Sequence, residues 1–163
     1  MRKLLVLIVV ALLAAGCTLL GAQPPPSGDE KSIRLRVVET RGTALALAPV
    51  HIKGEGPYQF LLDTGASIST IDEQLARELN LEFTGDSADV RGIGGRTNVE
   101  LIRVDRWRVG DVNLDAVRMA ALDLGDDRRG VVGLLGADVL HDFGRVTVDY
   151  DRERLLLPDD PGR

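Results

Sequence analysis

The sequence is poor in the residues that metal, thiol and nucleic-acid chemistry require. It has one cysteine, Cys17, close to the N-terminus. The folded domain therefore contains no internal disulfide, no cysteine zinc cluster and no catalytic thiol. It has two histidines, His51 and His141. Neither sits in a His-Glu-x-x-His pattern, which argues against zinc hydrolysis, and no metal or other cofactor is expected. His51 falls in an alternating strand and His141 at the end of a short helix, both ordinary structural settings. Ser67 and Ser69 lack the strand-to-helix elbow of a serine nucleophile, and no pattern pairs them with a histidine. The acids Asp123, Asp126 and Asp127 do not have the spacing of a calcium loop and read as a solvated segment. Trp107, in the alternating "RWRV", reads as packing. No basic run is present to neutralise phosphates, so nucleic acid is not an expected partner.

The chain opens with "MRKLLVLIVVALLAAGC", two basic residues followed by an apolar core and small residues. This is the layout of a secretory signal peptide over residues 1–16, with a core too short to favour a permanent membrane span. Its end, "LLAAGC", resembles the bacterial lipobox, with Ala14 where leucine is commonest. Cys17 is then the lipidated first residue, and an uncleaved N-terminal anchor is the alternative. Several acyl chains on that cysteine would hold the protein firmly, whereas one would not. Either way the domain is expected in the bacterial cell envelope, outside the cytoplasm and tied to a membrane. Loss of Arg2 and Lys3 with the leader moves the formal net charge from −5 to −7. Residues 17–31, with three consecutive prolines, read as an extended tether. The domain then occupies residues 32–158, with a short tail at 159–163.

From Ile33 onward the apolar period is mostly two, the signature of half-buried strands. "IRLRVV" and "TALALAPVHIK" alternate, "GEGP" marks a turn, and "YQFLLD" follows as a strand with burial on both faces. Thr70 and Glu73 are spaced as a capping box ahead of "IDEQLAREL", with apolar residues at Ile71, Leu75 and Leu79. Strand patterns return at "ADVRGI", "TNVELIRVDRWRV" and "VNLDAVRMAAL", the last two joined by a tight Gly110-Asp111 turn. "VVGLLG" leads into a short helix, "ADVLHDF", and "RVTVDYDRERLLL" forms a last hairpin. The fold class is mainly β with two short helices.

The stretch "FLLDTGASIST" ends an apolar strand in an acid, a hydroxyl residue and a glycine. "LLDTGAS" resembles the active-site loop of the retropepsin-like aspartic proteases. Two further elements match in order and spacing: the glycine-rich "VRGIGGRT" at 90–97, where such enzymes carry a flap, and the apolar-apolar-glycine "GLLGADVL" at 133–140. The resemblance covers residues 33–157. It implies a closed β-barrel of the acid-protease type. It also implies that Asp63 is the catalytic acid, with Thr64, Gly65, Ala66 and Ser67 forming its loop and Ser67 donating to the carboxylate. Gly92, Ile93, Gly94 and Gly95 would form the flap over the substrate, and Leu134, Leu135 and Gly136 the second element. Asp138 lacks a following hydroxyl and glycine and reads as a helix-start residue rather than a second catalytic acid. With one Asp-Thr-Gly in the chain, the resemblance implies a homodimer in which two copies of Asp63 meet on a twofold axis. The expected activity is hydrolysis of extended polypeptide segments. A lipoprotein that binds peptides in the same groove without cutting them is the alternative, and an assembly module dimerising through its terminal strands is a third.

Overall fold

The computed structural model describes residues 30–40, 42–92, 95–125 and 130–158. The leader, Cys17, the tether up to residue 29, Ile93, Gly94, Asp126, Asp127 and residues 159–163 lie outside them, while Glu30 and Lys31, read above as the end of the tether, belong to β1. In chain order the elements are β1 (Glu30–Arg34), β2 (Arg36–Thr40), β3 (Thr43–Ile52), β4 (Glu55–Leu62), β5 (Thr70–Asp72) and α1 (Glu73–Glu78). They continue with β6 (Glu82–Gly92), β7 (Gly95–Val104), β8 (Trp107–Val109), β9 (Val112–Leu114), β10 (Val117–Leu122) and β11 (Val131–Leu135). The helix α2 (Ala137–Leu140), a 3₁₀ turn (His141–Phe143), β12 (Thr147–Asp149) and β13 (Arg154–Pro158) complete the chain. No helix among the described residues is long and apolar enough to cross a membrane.

The mainly β expectation holds, and its periodicity places the core. Along β3 and β4 the residues Ala48, Val50, Ile52 and Phe60 are fully buried. They pack with Ile71, Ile102, Trp107 and Leu135 in one large apolar cluster. Each fully buried side chain of this size contributes roughly 1.5–3 kcal/mol over its exposed state. A smaller cluster of Val99, Leu101 and Ala120, flanked by Ile68, Ala88, Val90 and Leu122, lies apart from it.

The strands form a three-stranded sheet, β1-β13-β12, and a ten-stranded sheet. The large sheet runs β6-β7-β10-β5-β11-β4-β3-β8-β9, with β2 added to β3. The expected closed barrel is not what the ladder forms. Its end strands β6 and β9 are not paired with each other, so the path is open among the described residues. β7 pairs with β10 over Leu101 to Val104, and from Ser87 to Glu100 the two hairpin strands pair with each other.

Three strand patterns that look continuous in sequence are broken. "IRLRVV" divides at Leu35, whose N–H donates to Glu153 O, so β1 stays in the small sheet while β2 joins the large one. "TNVELIRVDRWRV" breaks at Asp105–Arg106, where Arg106 takes a positive φ, and β8 turns away to pair with β3. "VNLDAVRMAAL" breaks after Leu114, and Asp115 O accepts the Trp107 indole N–H. The Gly110-Asp111 turn joins β8 to β9 as expected.

The capping box is also replaced. Thr70 is buried and belongs to β5, which pairs with both β10 and β11. Its position is therefore already claimed by the sheet, and Asp72 caps α1 instead, accepting from Leu75 N at 3.1 Å. Glu73 pairs with Arg77 one turn on.

The element that fixes the site is a polar clamp between β5 and α2. Ser69, wholly buried, donates its N–H to one oxygen of Asp138 at 2.9 Å and its hydroxyl to the other at 2.7 Å. The Ser69 hydroxyl oxygen accepts in turn from Gly136 N at 2.9 Å. Asp138 lies within the first turn of α2, whose N-cap position is Gly136, and it holds the chain that follows Asp63.

Substituting Asp138→Ala leaves a buried amide and hydroxyl without an acceptor. Urea unfolding should show a loss of about 1–3 kcal/mol, and Asp138→Asn, which keeps an oxygen acceptor, should lose less. His51 gives a pH prediction. Its Nδ1 is buried without a partner, and burial first, then the facing Arg108, lowers its pKa below the usual 6.5. A histidine depressed in the folded state stabilises the fold above its unfolded value, and that contribution is lost as pH falls through the folded value. The urea midpoint of wild type should therefore drop more than that of His51→Leu between about pH 6.5 and pH 5.

Candidate active site

Asp63 owes its position to the two strands that flank its own. β4 lies between β3 and β11, antiparallel to the first and parallel to the second, with Leu61 opposite Leu134 and Leu62 opposite Leu135. The pairing runs one residue beyond the strand, because Asp63 N donates to Leu135 O at 3.0 Å. The chain then reverses: Ala66 N donates to Asp63 O at 3.1 Å, and Gly65 N donates to Asp63 Oδ1 at 3.0 Å. A carboxyl that receives a backbone N–H from its own turn is held in one orientation. This answers why an apolar strand ends in an acid: the strand delivers it and the turn aims it.

A second reversal locks onto the first. Ala137 N donates to Ala66 O at 2.7 Å. Gly136 lies between them so tightly that a Cβ there would stand 2.9 Å from Ala66 O, from the Ile68 carbonyl carbon and from an Asp138 oxygen. Real Cβ contacts are not that short, and two of these neighbours are backbone, so glycine is required by approach. The sequence elements 63–67 and 134–136 are therefore brought together, as their resemblance implies. Leu135 is buried and Leu134 half-buried beside Leu61.

Exposure sorts the loop residues. Asp63 and Ala66 are half-buried, while Thr64, Gly65 and Ser67 are exposed. Ser67 does not donate to Asp63 in this chain; the observed donor is Gly65 N. The side chain that ties the loop down is Ser69, two positions further on. Of the glycine-rich hairpin, Gly92 ends β6 and Gly95 begins β7, and the two face each other in register. Ile93 and Gly94 lie outside the described residues. The hairpin and the segment after the Asp63 loop share the small cluster: Val90 and Ile68 both pack against the group formed by Val99, Leu101 and Ala120. Ile68, Ser69 and the full role of Asp138 escape sequence reasoning, since each depends on contacts distant in the chain.

A concavity of about 740 Å³ lies elsewhere, between α1, Tyr58 and Val131–Val132. Asp63 is not among its lining residues, and its acids already hold structure: Asp72 caps α1 and receives Leu124 N, while Asp123 receives Gly125 N. The Asp63 loop, with a half-buried acid beside an exposed hydroxyl residue, lies outside this concavity.

The family model described as aspartyl protease matches residues 48–139, a span that contains the Asp63 loop, the glycine-rich hairpin and the Gly136 turn. No curated protein matches the chain. Among solved structures, a retropepsin-like aspartic protease from Rickettsia conorii is similar, with a TM-score of 0.55 at 20% identity over 79% of this chain and 89% of that one. At that identity the likeness is one of fold. With more than half its length matched by the family model, the chain belongs to the aspartyl protease family, and its fold is retropepsin-like.

Proposed function

We propose that the protein is an endopeptidase that works as a homodimer, with Asp63 from each subunit forming the catalytic pair. The observation that carries this reading is the state of the loop in one chain. Asp63 is oriented by Gly65 N, yet the neighbouring Thr64 and Gly65 are exposed. An acid, its turn and a hydroxyl are left open toward a second copy, and the chain has one such loop.

The chemistry requires two carboxyl groups close together. Like charges at that distance cannot both ionise, so the pair shares one proton, which is the established behaviour of aspartic proteases as a class. The ionised member takes a proton from water as the water oxygen bonds to the peptide carbonyl carbon. The protonated member stabilises the carbonyl oxygen, and a proton passes to the nitrogen as the C–N bond breaks. The β6–β7 hairpin offers backbone to an extended substrate and excludes water when it lies over it.

The N-terminal seventeen residues complete the proposal. Cleavage before Cys17 and its lipidation would place the domain on the outer face of a bacterial membrane. Confinement there raises the effective concentration of subunits, so a weak dimer suffices.

The test is cleavage of a mixed peptide library by the full chain in lipid vesicles, read by mass spectrometry between pH 4 and 7. Wild type should cut, and Asp63→Asn should lower kcat/KM by about 10²–10⁴-fold. Binding of the same peptides by both proteins with cleavage by neither would support the peptide-binding alternative instead. The dimer makes its own prediction: below its dissociation constant, activity per mole of chain should rise with protein concentration. A rate per mole that stays constant down to concentrations where sedimentation shows only monomer would exclude the shared site.

A further inference from the structure

The small sheet has two faces, and its register sorts them. Ile33, Leu155 and Leu157 are buried in the large core, and Val148 packs against it. Residues directly opposite across antiparallel strands share a face, and successive residues alternate between faces. The outward set is therefore Ser32 and Arg34 of β1, Arg154 and Leu156 of β13, and Thr147 and Asp149 of β12.

Within that set Arg34 stands directly opposite Arg154. Like charges so placed repel and destabilise the pair of strands, unless an anion lies between them. On its other side Arg154 faces Asp149, but that carboxylate is already taken. It accepts from Arg152 N at 2.8 Å and from the Arg152 guanidinium at 2.9 Å. Glu30, at the far end of the face, is paired with Arg145 at 3.1 Å. Among the described residues no carboxylate pairs with Arg34 or Arg154, Asp151 and Glu153 of the adjoining turn included. The two central guanidinium groups of the face are left with each other.

The place of this face in the chain identifies the anion. β1 begins at Glu30, inside the segment read as tether, so the face lies close behind the proposed anchor at Cys17. Tyr150, in the turn between β12 and β13, is left 49% exposed. A tyrosine, with an apolar ring and a polar tip, suits the level of lipid headgroups. Without its leader the chain carries a net charge of −7, so most of its surface is repelled by an anionic membrane. The face with unpaired arginines is the one such a membrane attracts.

We propose that Arg34 and Arg154 form a clamp for the phosphate of anionic lipids, and that the domain rests on its membrane through the outward face of the small sheet. A phosphate between the two guanidinium groups accepts from both and removes their repulsion. A sheet lying on this face keeps its edges, β1 and β12, in the plane of the membrane. The inference builds on the anchoring proposed above and is independent of peptide cleavage.

The full chain carrying Cys17→Ser and Thr147→Cys has its single thiol on this face. A fluorophore on that thiol is read in vesicles that hold a quencher at headgroup level. Phosphatidylcholine vesicles containing phosphatidylglycerol should quench it, and phosphatidylcholine alone should not. Adding Arg34→Gln should weaken contact with the anionic vesicles about five-fold, and adding Arg154→Gln as well about thirty-fold, the usual worth of basic residues at such a surface. Away from lipid, Arg34→Gln should raise the urea midpoint, because the facing Arg154 loses its like charge. Quenching that survives both substitutions would overturn the clamp. A lower urea midpoint would also overturn it, since the arginines would then serve the fold. Absence of quenching on anionic vesicles would overturn the lipid assignment. If inorganic phosphate then raised the urea midpoint of wild type but not of Arg34→Gln, the ligand would be a soluble anion. Retention of the chain on phosphatidylcholine vesicles reads the anchor separately, and loss of cleavage in Asp63→Asn leaves every one of these readings unchanged.

Discussion

The site rests on two chain reversals that meet backbone to backbone. Asp63 N reaches Leu135 O, Ala137 N reaches Ala66 O, and Gly136 removes the side chain that would hold the two apart. Because the contacts are main-chain hydrogen bonds at fixed separation, Asp63 is positioned by geometry with little rotamer freedom. A displacement of about 1 Å in a reacting group is enough to cost much of its effect. The Ser69–Asp138 clamp serves the same end from behind. It satisfies a buried amide and hydroxyl that β5 would otherwise leave unpaired, and it does so with a carboxyl on the helix that starts at the second reversal.

Around this rigid point the domain distributes its packing unequally. The large cluster gathers both helices and both sheets, from Ile33 and Leu155 to Leu75 and Phe143. The small cluster is built mainly from half-buried side chains and joins the hairpin to Ile68 and Leu122. Fewer buried atoms mean a lower opening free energy. The hairpin is thus the segment the core holds least, while the Asp63 turn is fixed by main-chain hydrogen bonds.

The parts of this arrangement that can be read from sequence are those written in contiguous residues. "LLDTGAS" carries its chemistry in seven neighbouring positions, and alternation along "TALALAPVHI" places β3 with its buried face. The cap of α1 could not be read so directly, because Thr70 and Asp72 are both good caps and only pairing of β5 with β10 and β11 removes the first. The breaks at Leu35, Asp105 and Asp115 are likewise tertiary: each occurs where a strand changes partner, with no glycine or proline to mark it. Ser69 and Asp138 are sixty-nine residues apart, so their clamp has no local signal. Ser67 was the donor expected for Asp63, yet the turn itself supplies one through Gly65 N.

A half-site of this design sets a condition on the proposed dimer. Asp63 can be held ready in one chain, because its orienting bond is internal, but its proton chemistry needs the second acid. Bringing two such loops together opposes two acids and, on removal of the leader, two subunits each carrying a net charge of −7. Long-range repulsion of that sign slows encounter in dilute solution and is screened beyond about 8–10 Å at physiological ionic strength. Association must therefore come from short-range contacts, and the small sheet leaves β1 and β12 as edges able to supply them. β1 begins at Glu30, inside the segment read as tether, so in the proposal an anchor at Cys17 would keep those edges near the membrane. On this reading anchoring does more than localise the enzyme. In the proposed dimer it would offset the repulsion between the halves and make the second acid available where two copies share a membrane.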